Sequence, residues 1–296
     1  MTKITFDETF KKSFKGRGQE EPERTFYQKG SPKVFASLLL KGCGGNLGFP
    51  RFGGDVMQKL FKQNYGIIPA CDVNTLEELT RIVNETHDLD GIVGYKIGCE
   101  LGLSFGLGAT ADIIKNICNL SVIYDHQKAS TDIPQLGEKF ADVCKKAGID
   151  GVIIFPQSGP ETEEAFIKAI ISRGMVPLVG GEMTHPRYLT RDGGFIIDYA
   201  PHRMYEIGAK NGAEYFIVPG NKPDVIKEYS EFLSKIVKEP KFCMPGIGTQ
   251  GGEIEISFKS TLGNPAYAII GSAIYKQKDM REAAKKFSDI ALEFNR

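Results

Sequence analysis

Two carboxylates and one lysine lie within eight residues of one another, as Asp125, Lys128 and Asp132. The apolar run at 121–124 comes immediately before them and is typical of a buried strand. Opposite charges at close range shift one another's pKa and present a charged field to a substrate. A strand end with these residues therefore suggests chemistry, and the alternative is an exposed loop whose charges are solvated.

A second lysine, Lys96, lies inside the apolar run 94–98. Burial of an unpaired ammonium costs several kcal/mol, so we expect Lys96 to be paired or functional. Asp72 follows the apolar run at 67–71 in the same way that Asp125 follows its own strand. If these side chains converge with Lys128 and Asp132, cations and anions alternate around one site. The alternative for Lys96 is a structural ion-pair network.

Short apolar runs alternate with amphipathic stretches from about residue 66 onward. We predict strands at 67–71, 91–97, 122–125, 151–155, 175–179, 215–218, 241–244 and 266–270, with helices between the first seven and a closing helix at 279–294. This alternation predicts parallel strands with right-handed crossovers, and eight of them fit a (β/α)₈ TIM barrel. An open doubly wound sheet is the alternative, but no Gly-x-Gly-x-x-Gly turn follows the first strand.

The first 65 residues do not share this alternation. We predict an N-terminal extension at 1–65, with short helices at 33–40 and 56–63, and a catalytic barrel domain at 66–296. The glycine-rich stretch at 42–54 belongs to the extension, to which we assign no catalytic role.

Composition excludes several classes of function. Lys plus Arg and Asp plus Glu both number 37, and the pI is near 6.9, which argues against a general nucleic-acid binder. No apolar run is long enough to cross a membrane and the N-terminus lacks a signal-peptide core, so we expect a cytoplasmic protein. The six cysteines form no Cys-x-x-Cys pair and predict buried, reduced thiols, and the four scattered histidines indicate no transition-metal site.

Three further loops carry groups suited to binding. The loop after the fifth strand contains Thr184, whose hydroxyl suits the edge of a heterocycle, although a plain turn is the alternative. The glycine-rich loop at 244–252 holds Gln250 and Gly251, and its backbone N–H groups can approach an anion. Gly271 and Ser272 follow the eighth strand. Because phosphates often bind between the loops after strands seven and eight, a small phosphorylated substrate is favoured.

These motifs resemble the orotidine 5′-monophosphate decarboxylase family, especially its microbial and archaeal-type members. The resemblance covers about residues 66–296. The segment 245–252 is similar to the family's phosphate-side loop and 182–186 to its pyrimidine-side loop. Asp125, Lys128, Asp132, Ile133 and Pro134 echo its Asp-x-Lys-x-x-Asp-Ile-Pro signature. The resemblance implies conversion of orotidine monophosphate to uridine monophosphate and CO₂ in pyrimidine biosynthesis, with no metal and no organic cofactor.

The resemblance also implies roles for the charged residues. Asp72 binds the ribose hydroxyls, and Lys96 orients both the ribose and the first aspartate. Asp125 crowds the substrate carboxylate, and Lys128 delivers a proton to C6 as CO₂ leaves. Asp132 and its neighbour Ile133 reach into the adjacent subunit's site, which implies a homodimer with shared active sites.

The resemblance also implies roles for the residues that bind the substrate. Thr184 bonds the pyrimidine, where the family commonly has serine, and Gln250 bridges the base and the phosphate beneath a closing loop. Gly251 belongs to that phosphate-side loop, and Gly271 and Ser272 offer backbone N–H groups to the phosphate.

The chain departs from the family pattern at three points. One extra residue stands on each side of Lys128 in the signature, and Leu136 replaces a threonine that often contacts the partner's substrate. Ser272 replaces the phosphate-binding arginine, so that the bidentate cation is lost. Four residues are candidates to replace it: Lys222, Arg187, Arg191 and Lys276.

Two other functions stay open. A sugar-phosphate decarboxylase or aldolase of the same suprafamily would place similar acidic and lysine residues around Mg²⁺. The second is a barrel that binds nucleotides without catalysis. The missing phosphate-binding arginine and the altered spacing around Lys128 favour this alternative.

Overall fold

The structure, a computed structural model, describes residues 59–126, 131–248 and 254–296. Eight parallel strands pair in chain order, and β1 pairs with β8 to close a barrel. They are β1 (Tyr65–Cys71), β2 (Gly94–Ile97), β3 (Ser121–Asp125), β4 (Gly151–Ile154), β5 (Val176–Gly180), β6 (Tyr215–Ile217), β7 (Lys241–Pro245) and β8 (Ala266–Ile270). The (β/α)₈ prediction is confirmed, and the open sheet is excluded.

Helices connect the strands. They are α1 (Leu76–Thr86), α2 (Cys99–Phe105), α3 (Leu107–Ile117), α4 (Gly137–Lys146), α5 (Pro160–Ser172), α6 (Ala200–Lys210), α7 (Pro223–Leu233), α8 (Ile254–Lys259), α9 (Ser272–Tyr275) and α10 (Met280–Phe294). Single 3₁₀ turns span Pro134–Leu136 and Thr190–Asp192. The sequence did not predict α2, α8 and α9, because helices of four to seven residues are too short to show a period.

The strands are buried on both faces, as parallel strands covered by helices must be. Successive side chains point to opposite faces of a strand. Ile67 and Val122 therefore pack outward in the core shared with the helices, whereas Ile68 and Ile123 fill the barrel interior. This alternation fixes which side chains reach the interior at the strand ends.

The chain before β1 closes the floor of the barrel. A helix was predicted at 56–63. Residues 59–63 are not helical, so the prediction is wrong for the part of this range that the structure describes. Leu60 and Phe61 are buried in the interior core instead. The Phe61 ring lies 4.4 Å from that of Tyr267, and Leu60 N donates to Tyr215 Oη at 3.1 Å. The helix predicted at 33–40 and most of the predicted extension lie outside the described residues.

The five described cysteines are free thiols, in agreement with the prediction. Cys71, Cys144 and Cys243 are buried, and burial raises the pKa of Cys144 to about 12. Cys99 is exposed, so burial was not predicted correctly for every thiol. Within the described ranges, no helix has the length and apolar character needed to span a membrane.

Candidate active site

A cavity of about 590 Å³ opens at the carboxyl ends of the strands, where barrel enzymes carry their active sites. Its volume suits a small ligand. Its charged and polar walls include Asp72, Lys96, Asp125, His126, Glu182, Thr184, Ser272 and Tyr275, and its apolar walls include Phe155, Met183, Ile247 and Ile269.

The strand period brings the charged residues together. Lys96 lies on β2, in register with Ala70 of β1 on one side and with Ile123 of β3 on the other. Both Ala70 and Ile123 point into the barrel. Asp72 and Asp125 lie two residues beyond Ala70 and Ile123, so they point inward one layer higher. The predicted convergence of Asp72, Lys96 and Asp125 is therefore present in the structure.

Lys96 bridges the two carboxylates. Its Nζ donates to Asp72 Oδ1 and to Asp125 Oδ2, each at 2.9 Å, and its side chain is only 8% exposed. Burial by itself lowers the pKa of Lys96, but the charges of Asp125 and Asp72 outweigh burial and raise the pKa above its usual value. Lys96 is therefore a fixed ammonium.

The two aspartates differ in their surroundings. The Asp72 side chain is 48% exposed, whereas that of Asp125 is 12% exposed. Asp125 Oδ1 is buried and accepts no hydrogen bond from any residue that the structure describes. A buried carboxylate oxygen without a donor is costly. Asp125 is thus paired with Lys96 through Oδ2, while Oδ1 has no donor among the described residues.

Gly98 is a site residue that the sequence did not reveal. It lines the cavity directly after β2, and a Cβ atom there would lie 2.9 Å from Asp72 Oδ1 and 3.9 Å from Lys96 Nζ. A larger residue at this position would require the Asp72 carboxylate to shift. Its position two residues beyond Lys96, in the same inward phase, is the signal that could have identified it.

His126 is a second addition. It follows Asp125, lines the cavity, and its Nδ1 lies 2.8 Å from Tyr124 Oη. The imidazole stacks on the Tyr124 ring and packs against Phe140. His126 was counted only among the scattered histidines, because a histidine after a strand carries no pattern of its own.

The loop after β5 forms one wall of the cavity through Met183 and Thr184. Its first charged residue, Glu182, is buried and accepts from Lys222 Nζ at 2.7 Å. Arg191 lies 3.4 Å from the same carboxylate. Two of the four cations considered as replacements for the arginine are therefore paired with Glu182.

The loops after β7 and β8 form the opposite wall. Gly246 and Gly248 have φ values of 90° and 94°, a region that glycine adopts most easily. Gly271 and Ser272 line the cavity as expected, and Ser272 begins α9. Among the residues that the structure describes, Lys96 is the only lysine or arginine that lines the cavity.

Two groups of predicted residues are not in this cavity. Asp132 and Ile133 lie at a separate surface depression, where Asp132 Oδ1 accepts from Ile133 N at 2.7 Å. Ile133 is 57% exposed. Lys128, Gln250 and Gly251 lie outside the described residues. Within the described ranges, no group of three or more His, Cys, Asp or Glu side chains is placed to hold a metal ion.

Comparison with known proteins is consistent with this geometry. The family model described as "Orotidine 5'-phosphate decarboxylase / HUMPS family" matches residues 66–287. The orotidine 5′-phosphate decarboxylase of Methanocaldococcus jannaschii is 29% identical over 75% of this chain and 96% of its own length. The enzyme of the same name from Methanococcus maripaludis is 30% identical over 74% of this chain and 93% of its own.

Solved structures show the same similarity. The Methanocaldococcus jannaschii enzyme, crystallised with the inhibitor BMP, has a TM-score of 0.67 and 27% identity, covering 77% of this chain and 98% of its own. The orotidine 5′-phosphate decarboxylase of Pyrococcus horikoshii has a TM-score of 0.62 and 27% identity, covering 76% of this chain and 99% of its own.

Proposed function

The chain belongs to the orotidine 5′-phosphate decarboxylase / HUMPS family, and we propose that it converts orotidine 5′-monophosphate to uridine 5′-monophosphate and CO₂. The observation that carries the proposal is the bridge from Lys96 to Asp72 and Asp125 at the mouth of the barrel. It supplies a fixed cation and a buried carboxylate where substrate binds in this fold.

The chemistry follows from these charges. The bond between C6 and the carboxylate breaks, and its electron pair stays on C6. Asp125 repels the substrate carboxylate through Oδ1, which has no donor among the described residues, and the repulsion ends as CO₂ leaves. Lys128, three residues farther along the chain, stabilises the developing charge with its ammonium and then transfers a proton to C6.

The remaining groups bind the substrate. Asp72 accepts hydrogen bonds from the ribose hydroxyls, and its 48% exposed side chain supports this role. Thr184 binds the pyrimidine edge. Gln250 bridges the base and the phosphate. Lys96 orients Asp72 and Asp125 rather than reacting.

The phosphate binds at the wall formed by the loops after β7 and β8. Ser272 opens α9, so its backbone N–H has no partner within that helix and is available to an anion. Gly271 and Gly251 allow the backbone to approach the phosphate closely. Contacts to this remote group contribute binding energy that accelerates the reaction once the site is closed.

The protein acts as a homodimer with shared active sites in the cytoplasm. The positions of Asp132 and Ile133 support the shared sites, because both lie outside the cavity of their own chain and Ile133 is 57% exposed. A second copy offers a place for the apolar Ile133 side chain to be buried.

The direct test is the ultraviolet absorbance change of orotidine monophosphate with purified full-length protein in excess EDTA. Turnover that EDTA leaves unchanged supports the proposal. No turnover by folded protein contradicts it, and activity that requires Mg²⁺ would favour the sugar-phosphate chemistry of the same suprafamily. Tight binding of uridine monophosphate without turnover would indicate a barrel that only binds nucleotides.

A further inference from the structure

The carboxylate of Glu182 is fully buried beside the cavity, and both of its oxygens are used. Oε1 accepts from Lys222 Nζ at 2.7 Å, and Oε2 accepts from Tyr229 Oη at 2.6 Å. Arg191 reaches Oε2 at 3.4 Å, and the Glu182 side chain has no exposed surface. A buried carboxylate with this many donors holds its partners in one geometry.

The loop after β6 uses this anchor to hold the wall formed by Met183 and Thr184. Lys222 Nζ donates to Met183 O at 3.0 Å as well as to Glu182. The neighbouring Asn221 Nδ2 donates to Thr184 O at 3.2 Å. Two consecutive carbonyls of the wall are therefore fixed by side chains that do not line the cavity themselves.

The same loop packs against the opposite wall. Gly220 N donates to Pro245 O at 2.8 Å, and Pro245 and Ile247 both line the cavity. A Cβ atom on Gly220 would lie 2.7 Å from Pro245 O and 2.7 Å from Ile247 Cγ1. Ser257 Oγ of α8 donates to Gly220 O at 2.8 Å. Residues 220–222 thus connect the two walls, with two side chains bonded to the wall after β5 and the Gly220 backbone bonded to the wall after β7.

We propose that residues 220–222 are a positioning element that sets the spacing between these two walls, with the Glu182–Lys222 ion pair as its anchor. The inference rests on the proposed function, in which one wall holds the pyrimidine and the other leads into the phosphate-side loop. Lys222 and Asn221 are positioning residues, because they act on the substrate through the backbone of Met183 and Thr184.

The position of Lys222 argues against its assignment as the phosphate-binding cation. It was one of the candidates for the missing phosphate cation, yet its ammonium contacts Glu182 and Met183 O. An ammonium held by a buried carboxylate and a carbonyl contributes orientation rather than a mobile charge.

The test compares Lys222→Met, which removes the ion pair, with Lys222→Arg, which restores a cation. Lys227→Met is the matched control, since Lys227 is exposed on the adjacent helix α7. Each variant is measured for kcat and KM with orotidine monophosphate, for the Kd of uridine monophosphate and for Tm. Misplacement of contact groups by about 1 Å costs up to about 100-fold, so we expect Lys222→Met to weaken uridine monophosphate binding about 10- to 100-fold.

Asn221→Ala keeps the claim testable if Lys222→Met does not fold. This substitution leaves the ion pair in place and removes only the bond to Thr184 O. We expect an unchanged Tm together with a Kd and KM raised about three- to tenfold, the effect of one hydrogen bond. Lys222→Arg should recover most of the affinity, and Lys227→Met should match the wild type.

A lower Tm in Lys222→Met with wild-type Kd and KM would overturn the inference. The ion pair would then contribute to stability alone. Wild-type binding by Asn221→Ala would overturn it as well. Failure of the proposed function is a different result: folded wild-type protein that does not turn over orotidine monophosphate. The Kd values for uridine monophosphate across the variants still decide the positioning role in that case.

Discussion

Lys96 Nζ and Asp125 Oδ2 form a 2.9 Å ion pair in which the lysine side chain is 8% exposed and the aspartate side chain 12% exposed. The pair lies at the carboxyl end of the barrel, and the second oxygen of the aspartate is buried without a partner among the described residues. Lys96 therefore holds the acidic group in place while leaving one oxygen uncompensated.

Lys96→Met should lower kcat/KM by about 10²- to 10³-fold, because Asp72 and Asp125 lose the cation that positions them. It should also lower the free energy of unfolding by about 3 kcal/mol, since a buried carboxylate loses its partner. The control is Lys115→Met, which breaks the more exposed pair with Asp150 and should change the free energy of unfolding by less than about 1 kcal/mol. Steady-state kinetics and denaturant unfolding measure both effects, and wild-type kcat/KM in Lys96→Met would contradict this role.

Gly98→Ala tests the close approach at the ribose side of the site. The new Cβ atom would lie 2.9 Å from Asp72 Oδ1, so that carboxylate must move away from Lys96. We expect KM to rise about 10-fold or more, with a smaller change in kcat, because displaced binding groups weaken the binding of substrate. Gly102→Ala is the matched control, since its Cβ would meet only ordinary contacts with Tyr124 at 3.6 Å. Equal KM values for the two variants would refute the interpretation.

The fold was predictable from the sequence because apolar runs alternate with amphipathic helices along most of residues 66–296. Lys96 and Asp125 were likewise identified because they lie in or directly after apolar runs, and the ends of barrel strands carry functional groups. Gly98 was missed because its place two residues beyond Lys96 does not reveal that Asp72 approaches it so closely. The partners of Glu182 were missed for a different reason: Lys222 is 40 residues away in sequence, and only the closed barrel brings their loops together.

The segment 59–63 shows a limit of pattern reading. A helix was predicted there, but Leu60 and Phe61 pack into the open end of the barrel from a non-helical segment that contains bends. Tertiary packing overrides local propensity here. The sequence therefore did not predict the backbone conformation of this segment.

Glu163→Gln should stabilise the protein at neutral pH. Burial is the main cause that raises the pKa of Glu163 to about 9, with a further contribution from Glu164, while the Gly208 backbone opposes the rise. A raised pKa means that the folded state keeps a proton that the unfolded state releases. Stability is therefore lost as pH rises from about 4.5 toward 9.

The glutamine side chain does not ionise, so we expect roughly 1–3 kcal/mol of added stability at pH 7. Thermal unfolding at several pH values measures it, and the gain in Tm should grow from pH 5 to pH 9. Glu231→Gln, on the exposed face of α7, is the control and should show no such trend. A pH-independent difference between wild type and Glu163→Gln would exclude ionisation of Glu163 as the cause.

Phe61→Ala tests whether the chain before β1 is part of the barrel core. The Phe61 ring is 2% exposed and contacts the rings of Tyr215 and Tyr267. Its removal leaves a cavity at the floor and should cost about 3–5 kcal/mol of unfolding free energy. Lys62→Ala, at the exposed neighbouring position, should cost less than about 0.5 kcal/mol. Chemical denaturation compares the two, and equal stabilities would show that the floor contributes nothing.

Lys128→Ala in a single-turnover experiment tests the central claim most directly. Formation of uridine monophosphate from orotidine monophosphate is followed in excess EDTA, with the binding of uridine monophosphate as the check that the site is intact. Loss of the proton donor should slow the reaction by about 10²- to 10⁴-fold while product binding changes little. Full activity in Lys128→Ala would contradict the assignment of this lysine and the mechanism built on it.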